Sequence, residues 1–307
     1  MDRLAWQDGE HPQIVIDDVA GRLRPHGHVI TFANEKGGVG KSTLAFQTAV
    51  ALAHRGQRVV AIDLDRNQQT LERALVNREG SAKNLRTRLP MPRHAALDHP
   101  ATAQLLREIQ RLDTMADFIV IDAAGADSPI MRRTIAMADT LVTPVNCSFV
   151  DLDVLGQIDP VTGRSGRAGH FAGIVGAIRE ERLRNGLPDC DWLVVRNRLR
   201  RQEKRQQARI GEALGVLGRS SDFRIATPLR ERVVFRDLFQ FGLTRADLSL
   251  IPGAPAGNRT KNADIDHLLD EMRLDYVSAQ PHLRPVNRVA VFERVGTAYR
   301  EALLARL

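Results

Sequence analysis

The chain has 307 residues, 43% of them hydrophobic and 26% charged, with a formal net charge of +7. That hydrophobic share can fill a sizeable core and excludes wholesale disorder, and the length fits one large domain carrying extensions. Five lysines against 39 arginines carry the positive charge, and a pI of about 10.1 fits a polyanionic partner.

Cys147 and Cys190 have no C-x-x-C spacing and no neighbouring His/Cys cluster, which argues against a disulfide framework or a zinc site and suits a reducing cytoplasm. The opening MDRLAWQDGEHPQ is polar and acidic where a signal peptide would be basic and then apolar. No apolar run approaches the roughly 18 residues a membrane-spanning helix needs. A soluble, cytoplasmic protein is expected.

Residues 1–26 read as an N-terminal extension, because Gly21, Pro25 and Gly27 break the short apolar stretch QIVIDDVAGRL. From His28 the pattern becomes regular. HVITFAN is a buried-strand run, KSTLAFQTAVALAHRGQ a helix ending at Gly56, and RVVAIDLD a second strand carrying Asp63 and Asp65 at its end. Residues 66–89 read as helical then irregular, RLPMPRHAALDHP as a Pro/His-rich loop, and ATAQLLREIQRL as a helix. DFIVIDAAG, ADTLVTPVN, DWLVVRNR and DFRIATPL supply four more strands. Apolar, β-branched strands alternating with helices predict an α/β fold of the P-loop NTPase type, a mostly parallel twisted sheet with helices on both faces. The spacing predicts one domain over 27–254 and a helical C-terminal appendage, 255–307, packed on it.

The chemistry concentrates in FANEKGGVGKSTLA, residues 32–45. A phosphate loop reads Gly, four residues, then Gly-Lys-Ser/Thr. Counting back from Gly40-Lys41-Ser42 puts Glu35 where the leading glycine belongs, and a second lysine, Lys36, follows it. Gly37, Gly38, Val39 and Gly40 can turn backbone N–H groups inward around phosphate oxygens, and the helix that follows adds a partial positive charge. Lys41 suits the β- and γ-phosphates of ATP, Ser42 a magnesium ion and Thr43 the α-phosphate. Asp63, Asp65 and Asp122 sit at strand ends, where this fold gathers carboxylates beside magnesium and the attacking water.

KGGVGKST resembles the deviant phosphate-binding motif of the ParA/MinD family of ATPases, and VVAIDLDRNQQT and FIVIDAAGADS match that family's two other nucleotide motifs in order and spacing. MADTLVTPVNCSFVDLDVLG, DWLVVRNRL and ERVVFRDLFQFGLT are similar to segments of its MipZ branch, and the resemblance covers roughly residues 28–245. It implies an ATP-driven, face-to-face homodimer in which Lys36 reaches the partner's phosphates. It further implies that Asp65 positions the hydrolytic water, that Asp63 and Asp122 serve the magnesium shell, and that Asn197 contacts adenine. Two departures stand out: Asp122-Ala123-Ala124-Gly125 where the family has Asp-Thr-Pro-Gly, and Cys147 where that branch tends to have an acidic residue.

RNRLRRQEKRQQAR, residues 196–209, holds seven cations and one anion. Through Arg198, Arg200, Arg201, Lys204, Arg205 and Arg209 it is expected to bind double-stranded DNA by phosphate contacts without sequence preference. No aromatic residues interleave to stack on single-stranded bases. The C-terminal VFERVGTAYREALLARL reads as a core-packing helix and not a membrane anchor, because its apolar positions are small or scattered and glutamates temper its arginines. The resemblance implies a nucleoid-associated positioning ATPase with a ParB-type partition partner and FtsZ as its target. The same engine serving another cargo, or a weakly hydrolysing scaffold, are the alternatives.

Overall fold

All six apolar runs form strands, and a seventh joins them at one edge of a single sheet. The computed structural model describes residues 10–98, 101–159, 164–199, 204–230, 233–251, 253–254, 263–276 and 295–305. In chain order the elements are α1 (Pro12–Ala20), β1 (His28–Phe32), α2 (Lys41–His54), β2 (Val59–Asp63), α3 (Thr70–Asn84), β3 (Arg93–Ala96) and α4 (Thr102–Leu112). Next come β4 (Phe118–Asp122), α5 (Pro129–Met137), β5 (Thr140–Val145), α6 (Phe149–Leu152), β6 (Gly156–Ile158), β7 (Ser165–Ala168) and α7 (His170–Arg184). The chain continues through β8 (Asp191–Arg196), α8 (Lys204–Ser221), β9 (Arg224–Ala226), α9 (Val233–Gln240), a single helical turn at Arg245–Ser249, α10 (Ala263–Glu271) and α11 (Val295–Leu304).

The sheet runs β3-β2-β4-β1-β5-β8-β9 and is parallel throughout, while β6 and β7 form a separate antiparallel pair. Successive strand residues alternate between two apolar layers, as a sheet covered on both faces requires. Ile30, Val59, Ala61, Phe118, Val120, Leu193 and Val195 pack with α2, α3 and α10. Val29, Val60, Ile62, Ile119 and Ile121 face the other way onto α4, and Leu141, Trp192 and Val194 onto α5, α7 and α8.

Two segments differ from expectation. RLPMPRHAALDHP, expected to be a loop, contains β3, which pairs only with β2. This is an edge strand of four residues, exposed or half-buried, so no apolar run announces it; pairing and contacts to α3 order it, with His94 bonded to Glu72 at 2.9 Å. The β6–β7 pair likewise lacks an apolar run, being short and glycine-rich.

Within the N-terminal extension, α1 buries Val15 and Ile16 completely and packs against α5 and α7. At the other end, α11 buries Leu303, and its Tyr299 meets Phe241 edge-on and Ser81 at 2.7 Å. Among the described residues no helix is long and apolar enough to cross a membrane.

Candidate functional site: a phosphate loop at the carboxyl edge of the sheet

Parallel register sets the site. Phe32, Asp122 and Asp63 are partners at the ends of adjacent strands β1, β4 and β2, so the loop after β1 and both carboxylates emerge on one edge. Asn34 anchors the loop: its side chain donates to the Pro144 carbonyl at 2.8 Å and accepts from the Lys36 amide at 2.9 Å. Gly38 and Gly40 adopt φ of +74° and +96°, a region that favours glycine. At Gly40 a Cβ would also lie 2.3 Å from the Asn197 Nδ2.

Helix α2 starts directly from Gly40 with no side-chain cap and no acidic residue in its first turn. Its leading N–H groups, which include those of Ser42 and Thr43, point at the loop's concavity and suit an anion. Added Cβ atoms at Gly37 and Gly38 would meet nothing within 4 Å, so the cradle is open there.

The charged groups divide by role. Lys41 is buried, and its Nζ donates to the Lys36 carbonyl at 3.3 Å. Burial lowers its pKa against the pull of Asp122 and Asp65. Asp122 is fully buried, and neither of its oxygens has a hydrogen-bond partner of good geometry. Burial, reinforced by Asp63, pushes it up to about 8, and the Ser42 hydroxyl and Lys41 amine offset this only in part.

An orphaned buried carboxylate beside a hydroxyl and an uncapped helix start fits a magnesium–triphosphate, with Ser42 and Asp122 as the groups nearest the cation.

Asp63, expected beside the metal, is engaged otherwise. Its two oxygens accept the amides of Asp65 at 2.9 Å and Glu72 at 3.1 Å, so it fastens the β2–α3 loop and the first turn of α3. Asp65 is half-buried in that loop, and its Oδ1 accepts from the Asn67 and Gln68 amides, both at 3.1 Å. Asn197 differs from expectation in the same way: its amide donates to the Val39 carbonyl at 2.9 Å and its oxygen accepts from the Arg198 amide at 2.9 Å, so it pins the phosphate loop. It still borders a cavity of about 410 Å³ that opens from Gly40, Thr43 and Leu44 toward Leu229, Phe239 and Ile265, a size and apolar character suited to a nucleobase.

Lys36 points away from its own loop. Its Nζ lies 2.5 Å from the Asp151 carboxylate and donates to the Val150 carbonyl at 3.1 Å, both on α6. Asp151 in turn accepts from the Ser148 hydroxyl at 2.6 Å. On the outside of the same short helix, Phe149 and Val150 are 40% and 68% exposed.

The expected DNA contacts are only partly described. Arg200 and Arg201 lie outside the described residues, and Lys204 opens α8 without a described side chain. Arg198 is exposed at the rim of the cavity, in the left-handed region with φ of +57°. Arg205 and Arg209 are exposed on α8, and the Arg209 guanidinium lies 5.6 Å from the Phe149 ring centre.

Sequence reasoning did not single out Asp151, Asp127, Arg132 or the Glu35–His170 pair, bonded at 2.6 Å. The only available cue was position, since Asp127 follows Gly125 closely and Asp151 follows Cys147.

A glycine loop between β1 and α2, an uncapped helix start and strand-end carboxylates define a P-loop nucleotide-binding protein of the α/β class. The sequence profile of the family described as ATPase MipZ matches residues 28–275. The chromosome-partitioning ATPase Soj of Thermus thermophilus is 32% identical over 152 residues, 43% of this chain and 59% of its own. The septum site-determining protein MinD of Helicobacter pylori is 31% identical over 186 residues, 52% of this chain and 69% of its own. The chain spans between 53% and 59% of the length of the first three curated relatives it matches. The ATP complex of a McdA variant from Cyanothece superposes with a TM-score of 0.54 at 16% identity, covering 82% of this chain and 99% of that one, which is a likeness of fold. The chain belongs to the MipZ family, within the ParA/MinD group of ATPases.

Proposed function

We propose that this protein is an ATP-dependent dimerising ATPase that settles on DNA and positions the cell-division plane. The observation that carries the proposal is Lys36, a cation in the phosphate loop that the loop itself does not use. A lysine parked on Asp151, beside the exposed Phe149 and Val150, is suited to leave for a second copy's phosphates when two triphosphates meet. Two facing nucleotides bring charge that a buried interface cannot leave unpaired, so dimerisation would report the nucleotide state.

The loop amides and Lys41 would hold the phosphates, and Asp65 would orient the attacking water. Magnesium, held through Ser42 and Asp122, would supply charge neutralisation at the phosphate oxygens. The exposed Arg205 and Arg209 on α8, together with the cations preceding them in sequence, would supply phosphate contacts to DNA, their number doubling in the dimer. A ParB-type partition protein as partner and inhibition of FtsZ as output complete the proposal, with a cytoplasmic, nucleoid-associated protein as its setting. Support for it comes from the family match and from the names of the relatives, which concern chromosome partition and septum placement.

The test is ATP turnover of wild type and Asp65→Ala with DNA present. Turnover at least about tenfold slower in Asp65→Ala is expected. Equal, background-level rates would contradict hydrolysis, and DNA retention that does not fall steeply with salt would contradict phosphate-based binding.

A further inference from the structure

The loop after Asp122 bears directly on the phosphate site but holds on to little by itself. Ala123 starts it with an amide bond to the Phe32 carbonyl at 3.0 Å, and Ser128 ends it as the cap of α5. Between them Ala124, Gly125 and Ala126 have no side chain able to make a polar anchor. Gly125 nevertheless lies against Lys41: a Cβ there would be 3.2 Å from the lysine Nζ. The loop's side-chain anchor is Asp127, whose carboxylate accepts from the Arg132 Nε at 2.8 Å and from its Nη2 as well. Asp127 also lies within 4.8 Å of ligand atoms of Glu35, from the phosphate loop, and His170, from the start of α7.

Arg132 is itself held from outside the family match. Its side chain is 2% exposed, and its Nη1 donates to the Glu10 carbonyl at 2.7 Å. The adjacent Arg133 takes the Glu10 carboxylate, at 2.8 Å from its Nη2, and Asp18, at 2.6 Å from its Nε. Asp18 also accepts from Thr102 at 2.5 Å, and the buried Val15 and Ile16 seat the helix between these contacts. A continuous set of charge-assisted bonds thus runs from α1 through neighbouring arginines of α5 to the loop over Lys41.

We infer that residues 10–20 set the position of the loop after Asp122, with Arg132 as the positioning residue that transmits the restraint. The restraint governs how the loop meets the terminal phosphate and its water, and so it acts on turnover more than on nucleotide affinity. This consequence for turnover rests on the ATPase reading; the positional claim does not.

The experiment compares wild type, Glu10→Ala with Asp18→Ala, Arg132→Lys, and Arg22→Ala, which removes only a contact within α1. Amide exchange is followed over residues 12–20 and 123–128 in the nucleotide-free protein, alongside kcat, KM and the affinity of a fluorescent ATP analogue. Freeing α1 is expected to speed exchange at 123–128 by about tenfold and to lower kcat by about fivefold, with analogue affinity unchanged within about twofold. Arg132→Lys keeps the charge but loses the two-pronged bond, and it should do the same with α1 still protected. Arg22→Ala should match wild type.

Exposure of 12–20 with no change at 123–128 would overturn the inference. So would a normal loop in Arg132→Lys, which decides the matter if the double variant fails to fold or to release α1. A wild type without ATP turnover would sink the ATPase reading alone, because the exchange arms need no hydrolysis.

Discussion

Two buried aspartates, Asp247 where α2 and α3 meet the 245–249 turn and Asp122 at the end of β4, occupy opposite electrostatic surroundings. Asp247 receives the Arg78 guanidinium at 2.7 Å on each oxygen, His54 at 2.7 Å, and the Thr244 amide and hydroxyl at 2.6 and 2.9 Å. Burial alone would raise its pKa, but the Arg78 charge and these bonds hold it well below the usual carboxylate range. Asp122 is as deeply buried and has no such partners, and its pKa is pushed up. A carboxylate of the first kind joins elements together; one of the second kind is kept for something that binds.

The largest expected effect lies on the paired side. Arg78→Ala leaves Asp247 charged and deprived of its main partner, and should cost about 3–5 kcal/mol in a urea melt at pH 7. The acid limb of stability follows from the same group. Because the folded-state pKa of Asp247 is depressed, its contribution is present above about pH 3.8, the unfolded value, and is lost as pH falls through the folded value. Asp247→Asn should therefore flatten the loss of stability below about pH 4.

On the unpaired side the effect on the free protein is small and can have the opposite sign. Asp122→Asn removes a costly buried charge, and should change unfolding free energy by less than about 1 kcal/mol or raise it. With wild type, ATP at a hundredfold excess over Kd should stabilise by about 2.7 kcal/mol. The magnesium-dependent part of that stabilisation should vanish in Asp122→Asn. A loss of several kcal/mol in the free variant would erase the contrast between the two aspartates.

The same contrast explains what could be read without the structure. Runs such as FIVID and TLVTP announce central strands because burial on both faces demands continuous apolar residues. Edge strand β3 carries no such demand, and the place of α1 depends on α5 and α7, more than a hundred residues away. In the site, the phosphate loop was legible because its backbone conformation requires glycine at positions 38 and 40. The roles of Asp63 and Asn197 were not, because strand-end carboxamides and carboxylates look alike in sequence whether they meet a ligand or a backbone amide. The Lys36–Asp151 pair joins residues 115 positions apart, and no local pattern encodes it.

Lys36 gives the most direct test of the central claim. Sedimentation velocity of wild type and Lys36→Ala, with and without saturating ATP and magnesium, reads dimerisation, and a fluorescent ATP analogue reads binding in the same samples. Wild type should double in mass with ATP. Lys36→Ala should bind the analogue within about threefold of wild type yet stay monomeric, because the cation lost serves the partner's phosphates and not its own. ATP-dependent dimerisation that survives in Lys36→Ala, or nucleotide binding that disappears with the lysine, would contradict the account.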